Sequence, residues 1–278
     1  MLEAIIASLG YASGVIADKI IISKYRVPLW RFAPLLFVWL CVITAIFMPI
    51  WGHISMEKML TAKYLAIFFG MIVIAVVWNI YYYRGIQKEE VHEFELIMML
   101  SPLITIAFAE IFLPSERSLP VFIAAVVASA ALIATRFRRH HFKISKTTWQ
   151  TILAMVLMSA ESILIKNLLA VMSPVTLYFL RTGVIAVVFL IMYRPKLFQM
   201  PKEAYGLIII SAIAGVVQMV LKFYGFQSLG VVETTLILVL GPFLVYFFST
   251  YYFKEKMHKR DLFAAAVVVG CILYVTFR

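Results

Sequence analysis

Apolar residues in this chain do not alternate with polar ones; they come in continuous runs separated by short polar stretches. Each run is roughly 18 to 25 residues, about long enough to cross a ~30 Å hydrocarbon core at 1.5 Å per helical residue. Ten runs are predicted as helices, at 2–22, 29–51, 64–83, 92–113, 119–136, 149–170, 175–193, 204–226, 232–253 and 261–277. A transmembrane barrel would instead show a period of two over segments of about ten residues, and the chain shows no such period. The fold class that follows is all-α integral membrane, with ten transmembrane helices.

Composition agrees. Of the 278 residues, 64% are hydrophobic and 14% charged, and the mean hydropathy is +0.98, which excludes an ordinary water-soluble domain. The first run begins beside Met1 without a basic stretch ahead of it, so no removable signal peptide is read. Cys41 and Cys271 each lie inside an apolar run and read as small packing residues.

A formal charge of +11 would raise the question of nucleic acid in a soluble protein, but here the basic residues sit between apolar runs and report topology. The loops after the first, third, fifth, seventh and ninth runs, with their flanks, hold 18 Lys and Arg, against 4 on the other side (Lys58, Lys63, Arg117, Arg278). The richer set is expected in the cytoplasm, with both termini outside. The cluster Arg136, Arg138, Arg139, His140, His141 and Lys143 reads as a topology anchor.

The chain also repeats itself. Gly85, Gln87, Glu93, Leu96, Ile97, Leu100 and Pro102 fall on Gly225, Gln227, Glu233, Leu236, Ile237, Leu240 and Pro242, at a constant offset of 140. Phe122, Ala124, Ala125, Val126, Val127 and Leu132 fall on Phe263, Ala265, Ala266, Val267, Val268 and Leu273, at 141. Lys19 pairs with Lys166 and Pro28 with Pro174 at slightly larger offsets. Two units follow, 1–138 and 149–278, joined by a basic linker at 139–148. Because each unit crosses five times, an odd number, the second is inverted relative to the first, which is the symmetry that alternating access exploits.

Gly85, Glu93, Pro102 and Glu116 in the first unit, and Gly225, Glu233, Pro242 and Glu255 in the second, form a pattern that resembles the EamA type of the drug/metabolite transporter superfamily. The resemblance implies a ten-helix bundle around a central cavity lined chiefly by helices 1, 3, 4, 6, 8 and 9. It implies carriage of amino acids, other metabolites or drugs, often outward, and places both termini in the cytoplasm, opposite to the charge bias.

An ionisable group inside a membrane is a functional hypothesis by default. Glu161, near the middle of the sixth run, is the sharpest: a proton carrier, a partner for a substrate ammonium, or half of an ion pair with a base on another helix. Lys166, five residues on, is turned about 140° away and is not that base. Gln218 and Lys222 are one turn apart on the eighth run, and their repeat counterparts are Trp78 and Tyr82. Together with Asn79 they are expected to face one another as an apolar wall with a few polar groups, the usual make-up of a small-ligand pocket. Lys222 could equally reach for the interface, and Trp78 and Tyr82 could belong to an interfacial belt. Glu93 and Glu233, at the starts of the fourth and ninth runs, are candidates for proton coupling or for a structural role at a helix N-terminus. Glu95 and Glu110 read as structural, Asp18 as an interfacial marker, Arg181 as the partner of one of the acids, and Gly10 and Gly14 as a close-packing pair.

No metal-ligand, nucleophile-elbow or phosphate-loop pattern is found, so neither a cofactor nor an enzyme activity is read. The expected function is a multi-pass secondary transporter of the plasma (inner) membrane, moving an amino acid or related zwitterion or cation, with protons as a candidate coupling ion. The competing readings are a membrane-embedded enzyme and a channel or scaffold.

Overall fold

The computed structural model describes residues 1–88, 94, 98, 100–136, 146–195, 200–242, 244–245 and 259–276. Among these the fold is helical. In chain order the long elements are α1 (Leu2–Lys19), α2 (Leu29–Trp51), α3 (Ala62–Lys88), α4 (Ser101–Phe112), α5 (Leu119–Arg136), α6 (Lys146–Leu168), α7 (Pro174–Tyr193), α8 (Lys202–Ser228), α9 (Val231–Leu238) and α10 (Lys259–Thr276). A π-helical turn, Ile20–Lys24, prolongs α1, and a single turn, Met56–Met59, precedes α3. Glu93, Glu95, Glu255 and the basic cluster 138–143 lie outside the described residues.

Among the described residues, six helices, α1 with its π turn, α2, α3, α6, α7 and α8, are long and apolar enough to cross a membrane. Their outer faces carry exposed aliphatic and aromatic side chains, such as Ile46, Ile50, Phe69, Val73, Val187 and Ile191, which only a lipid surround would leave uncovered. The chain is therefore a multi-pass membrane protein.

Helix ends follow local chemistry. Ser173 is the N-cap of α7, its hydroxyl accepting from the Thr176 amide, and Pro174 takes the first helical position, where no amide donor is needed. Inside the bundle, hydroxyls bond back to their own helices, Ser8 to the Ala4 carbonyl at 2.9 Å and Thr44 to the Leu40 carbonyl at 2.6 Å, so apolar surroundings leave them satisfied.

Packing interlocks the two halves of the chain. The helix α1 runs along α8, α3 along α6, α2 against α7, α4 against α9 and α5 against α10, each pair drawing one helix from each half. Close approach of α1 and α8 depends on Gly10: a Cβ there would lie 3.0 Å from the Ala214 carbonyl oxygen and the Gln218 amide nitrogen. Without a hydrophobic drive between helices in lipid, such backbone proximity is what holds them. On one face the loops join as well, the Ser55 amide donating to the Val171 carbonyl and the Ser173 amide to the His53 carbonyl, both at 2.8 Å.

Candidate functional site

Where these pairs meet, the bundle forms a cavity of about 170 Å³. Its wall comes from α1 (Tyr11, Gly14, Asp18), α3 (Trp78, Asn79, Tyr82, Tyr83), α6 (Met158, Glu161) and α8 (Ser211, Gly215, Gln218, Met219, Lys222). The helix α4 adds Ser101, Pro102 and Thr105, and α9 adds Thr235 and Leu238. Two helices beyond those implied by the resemblance also contribute: α2, with Leu36, Phe37 and Leu40, and α7, with Tyr178 and Arg181.

At the centre of the polar wall lies a charge pair. Glu161 and Arg181 are both buried, at 1% and 2% exposure. Arg181 Nε donates to Glu161 Oε1 at 2.6 Å and Nη2 to Oε2 at 3.2 Å, a two-pronged contact. Trp78 Nε1 also donates to Oε2, at 2.7 Å, and the guanidinium lies 5.6 Å from the Trp78 ring centroid. One α6 carboxylate is thereby held by α3 and α7 together. Of the readings open for Glu161, the ion pair with a base on another helix is the one present, and the base is Arg181.

All six residues expected to contact a substrate (Trp78, Asn79, Tyr82, Glu161, Gln218 and Lys222) lie on this one cavity. Trp78 and Tyr82 are buried against each other, ring centroids 5.8 Å apart and edge to face, so they form no interfacial belt. Asn79 turns its amide nitrogen back onto the Ala75 carbonyl at 2.7 Å. The Lys222 ammonium lies 5.2 Å from the Phe226 ring centroid, a cation–π contact within the bundle.

Other expectations are corrected. Asp18 is no interfacial marker; it is 6% exposed, lines the cavity and accepts a hydrogen bond from the Ser211 hydroxyl of α8. What could have pointed to it is its place six residues before the end of the π-extended first helix. Glu233 is exposed and stands off the cavity. The first amides of α9 bind a different carboxylate, Glu116, whose Oε2 accepts from Val231 N at 2.6 Å and Val232 N at 3.3 Å. Glu116 Oε1 in turn pairs with Lys166 Nζ at 3.0 Å, and Lys166 donates to the Phe226 carbonyl at 2.6 Å. Gly230, just ahead, has φ +93, and a Cβ there would lie 2.9 Å from Glu116 Oε2, so both the turn and the clasp require glycine. Glu110 serves the start of α5, its carboxylate accepting from the Ser118 amide at 2.7 Å.

Residues 146–277, in the second half of the chain, match the model of the EamA-like transporter family. A solved crystal structure superposes with a TM-score of 0.73 at 17% identity, over 99% of this chain and 96% of that one, a likeness of fold. No curated protein matches the chain by sequence.

Proposed function

We propose that this multi-pass membrane protein, EamA-like in its second half, is a secondary carrier. It moves a small zwitterionic or cationic solute, an amino acid or a relative of one, across the plasma (inner) membrane by alternating access. The observation that carries this reading is the cavity, walled by helices of both halves, in which Asp18, Glu161, Arg181 and Lys222 meet aromatic and aliphatic side chains. Buried charge of that density within lipid is expensive, and a site that recognises a charged solute is its usual purpose.

The pairing of helices supports the inverted-repeat arrangement, with units 1–138 and 149–278 joined by the linker 139–148. If α1 to α5 correspond to α6 to α10, the contact of α1 with α8 maps onto that of α6 with α3. The remaining pairs, α2 with α7, α4 with α9 and α5 with α10, map onto themselves, as a two-fold axis in the membrane plane requires. A polar detail repeats too: Lys19 donates to the Ile86 carbonyl at 3.1 Å as Lys166 does to Phe226, and Ile86 and Phe226 are 140 residues apart.

Within the cavity, Trp78, Tyr82, Asn79, Gln218 and Lys222 are the proposed solute contacts, and Glu161 sets the position of Arg181 and Trp78. Counterflow of labelled amino acids and organic cations in liposomes tests the reading, with wild type compared with Glu161→Gln, with and without a pH gradient. Saturable exchange that is lost in the variant is expected. Flux that rises linearly with concentration would make the protein a channel, and no exchange of any compound would overturn the carrier reading.

A further inference from the structure

The four charges of the cavity are not placed alike. Glu161 has both oxygens occupied by Arg181 and Trp78. Asp18 has one hydrogen bond, from Ser211, and no ion pair with any described residue. A carboxylate 94% buried without a counter-ion among the described residues costs several kcal/mol while it is charged, a cost that a bound cation would offset.

Depth separates it from the rest. Ser211 and Lys222 lie on the same helix, eleven residues apart, about 16 Å along the axis. The Lys222 ammonium leans on Phe226, a further turn from Ser211. Phe226 is in turn level with Lys166, which donates to its carbonyl. Glu161 stands five residues before Lys166 and Lys222 four before Phe226, about 7.5 and 6 Å back along their helices, so these two are at similar depth. Glu161, Arg181 and Lys222 thus occupy one end of the cavity, and Asp18 with Ser211 the other.

We propose that Asp18, braced by Ser211, is a second subsite of the cavity that binds a cationic group, separate from the Glu161, Arg181 and Lys222 end. The group is either an amine at the far end of an elongated solute or a monovalent metal ion that accompanies a compact one. The proposal deepens the carrier reading, and its readout is binding, so the two can fail separately.

The test is thermal unfolding of the purified full-length chain in a neutral detergent, titrated with butylammonium or sodium chloride against tetraethylammonium chloride at constant chloride. One cation is expected to raise the midpoint of the wild type. Asp18→Asn should weaken that cation about tenfold, the loss of one charge-assisted contact, and Ser211→Ala, which keeps the carboxylate, should weaken it less. Stabilisation by butylammonium assigns the subsite to a solute amine, and stabilisation by sodium assigns it to a coupled ion. Should Asp18→Asn not fold, the proposal stands or falls on Ser211→Ala. No stabilisation of the wild type by either cation, or wild-type affinity in the variant that is read, overturns it. Counterflow that fails for every solute while the cation-dependent shift persists overturns the carrier reading and leaves the subsite.

Discussion

Arg181 meets Glu161 with two nitrogens, Nε on one oxygen at 2.6 Å and Nη2 on the other at 3.2 Å, in a place where neither side chain is more than 2% exposed. The geometry uses the planar fork of the guanidinium, which a lysine could not reproduce. Because α6 supplies one charge and α7 the other, with α3 adding the Trp78 donor, the contact fixes three helices around the cavity at once.

Breaking this pair from one side leaves a buried charge uncompensated. Glu161→Gln and Arg181→Gln are each expected to lower stability by about 3–5 kcal/mol, and the double variant by less than the sum of the two. Chemical unfolding in mixed micelles measures the cycle; strictly additive losses would mean that the pair is not coupled.

Trp78→Phe keeps a ring near Arg181 and removes the donor to Glu161 Oε2 together with part of the ring volume. A loss of about 1.5–3 kcal/mol is expected for a hydrogen bond to a charged group. The same unfolding measurement reads it, and a loss below about 0.5 kcal/mol would place the Nε1 contact outside the energetics of the site.

Gly10→Ala puts a methyl group 3.0 Å from α8 backbone atoms that cannot rotate away. A cost of about 1–3 kcal/mol is expected, with loosening of α1 from α8. Gly206→Ala, where an added Cβ meets nothing within 4 Å, is the control and should leave stability unchanged or slightly raised. Cysteine cross-linking between α1 and α8 reports the separation directly.

The Glu116 clasp should respond unequally to its two partners. Glu116→Gln removes the charge that holds two α9 amides as well as the Lys166 pair, for about 1–2 kcal/mol. Lys166→Met removes a side chain that is 27% exposed, for about 1 kcal/mol or less. Hydrogen exchange at the Val231 and Val232 amides distinguishes them, rising more in the Glu116 variant.

Much of the bundle was legible because lipid demands unbroken apolar length. The runs read at 29–51 and 119–136 coincide with α2 and α5, since loops in this chain are polar and short. The cavity wall was legible in part, because one-turn spacing puts Gln218 and Lys222 on one face and the repeat carries that face to Trp78 and Tyr82. The partners were harder to read. Asp18 meets Ser211 across 193 residues, and no local pattern encodes the crossing of α1 and α8 that brings them together. Its neighbour Lys19 drew attention to the interface, whereas the π turn after it carries the chain onward and leaves Asp18 inside. Glu116 stands between two apolar runs in the sequence, and its role depends on where α9 begins.

The cavity also has an electrical consequence. Two carboxylates, Asp18 and Glu161, and two bases, Arg181 and Lys222, give its described wall no net formal charge. Moving one elementary charge through a membrane potential of 100 mV involves about 2.3 kcal/mol. A carrier with a neutral wall exchanges its inward and outward forms, when empty, without doing that work. In the carrier proposed above, with its described wall neutral, voltage would act on what is carried, and the current accompanying transport would count the charge on the cargo together with any coupled ion.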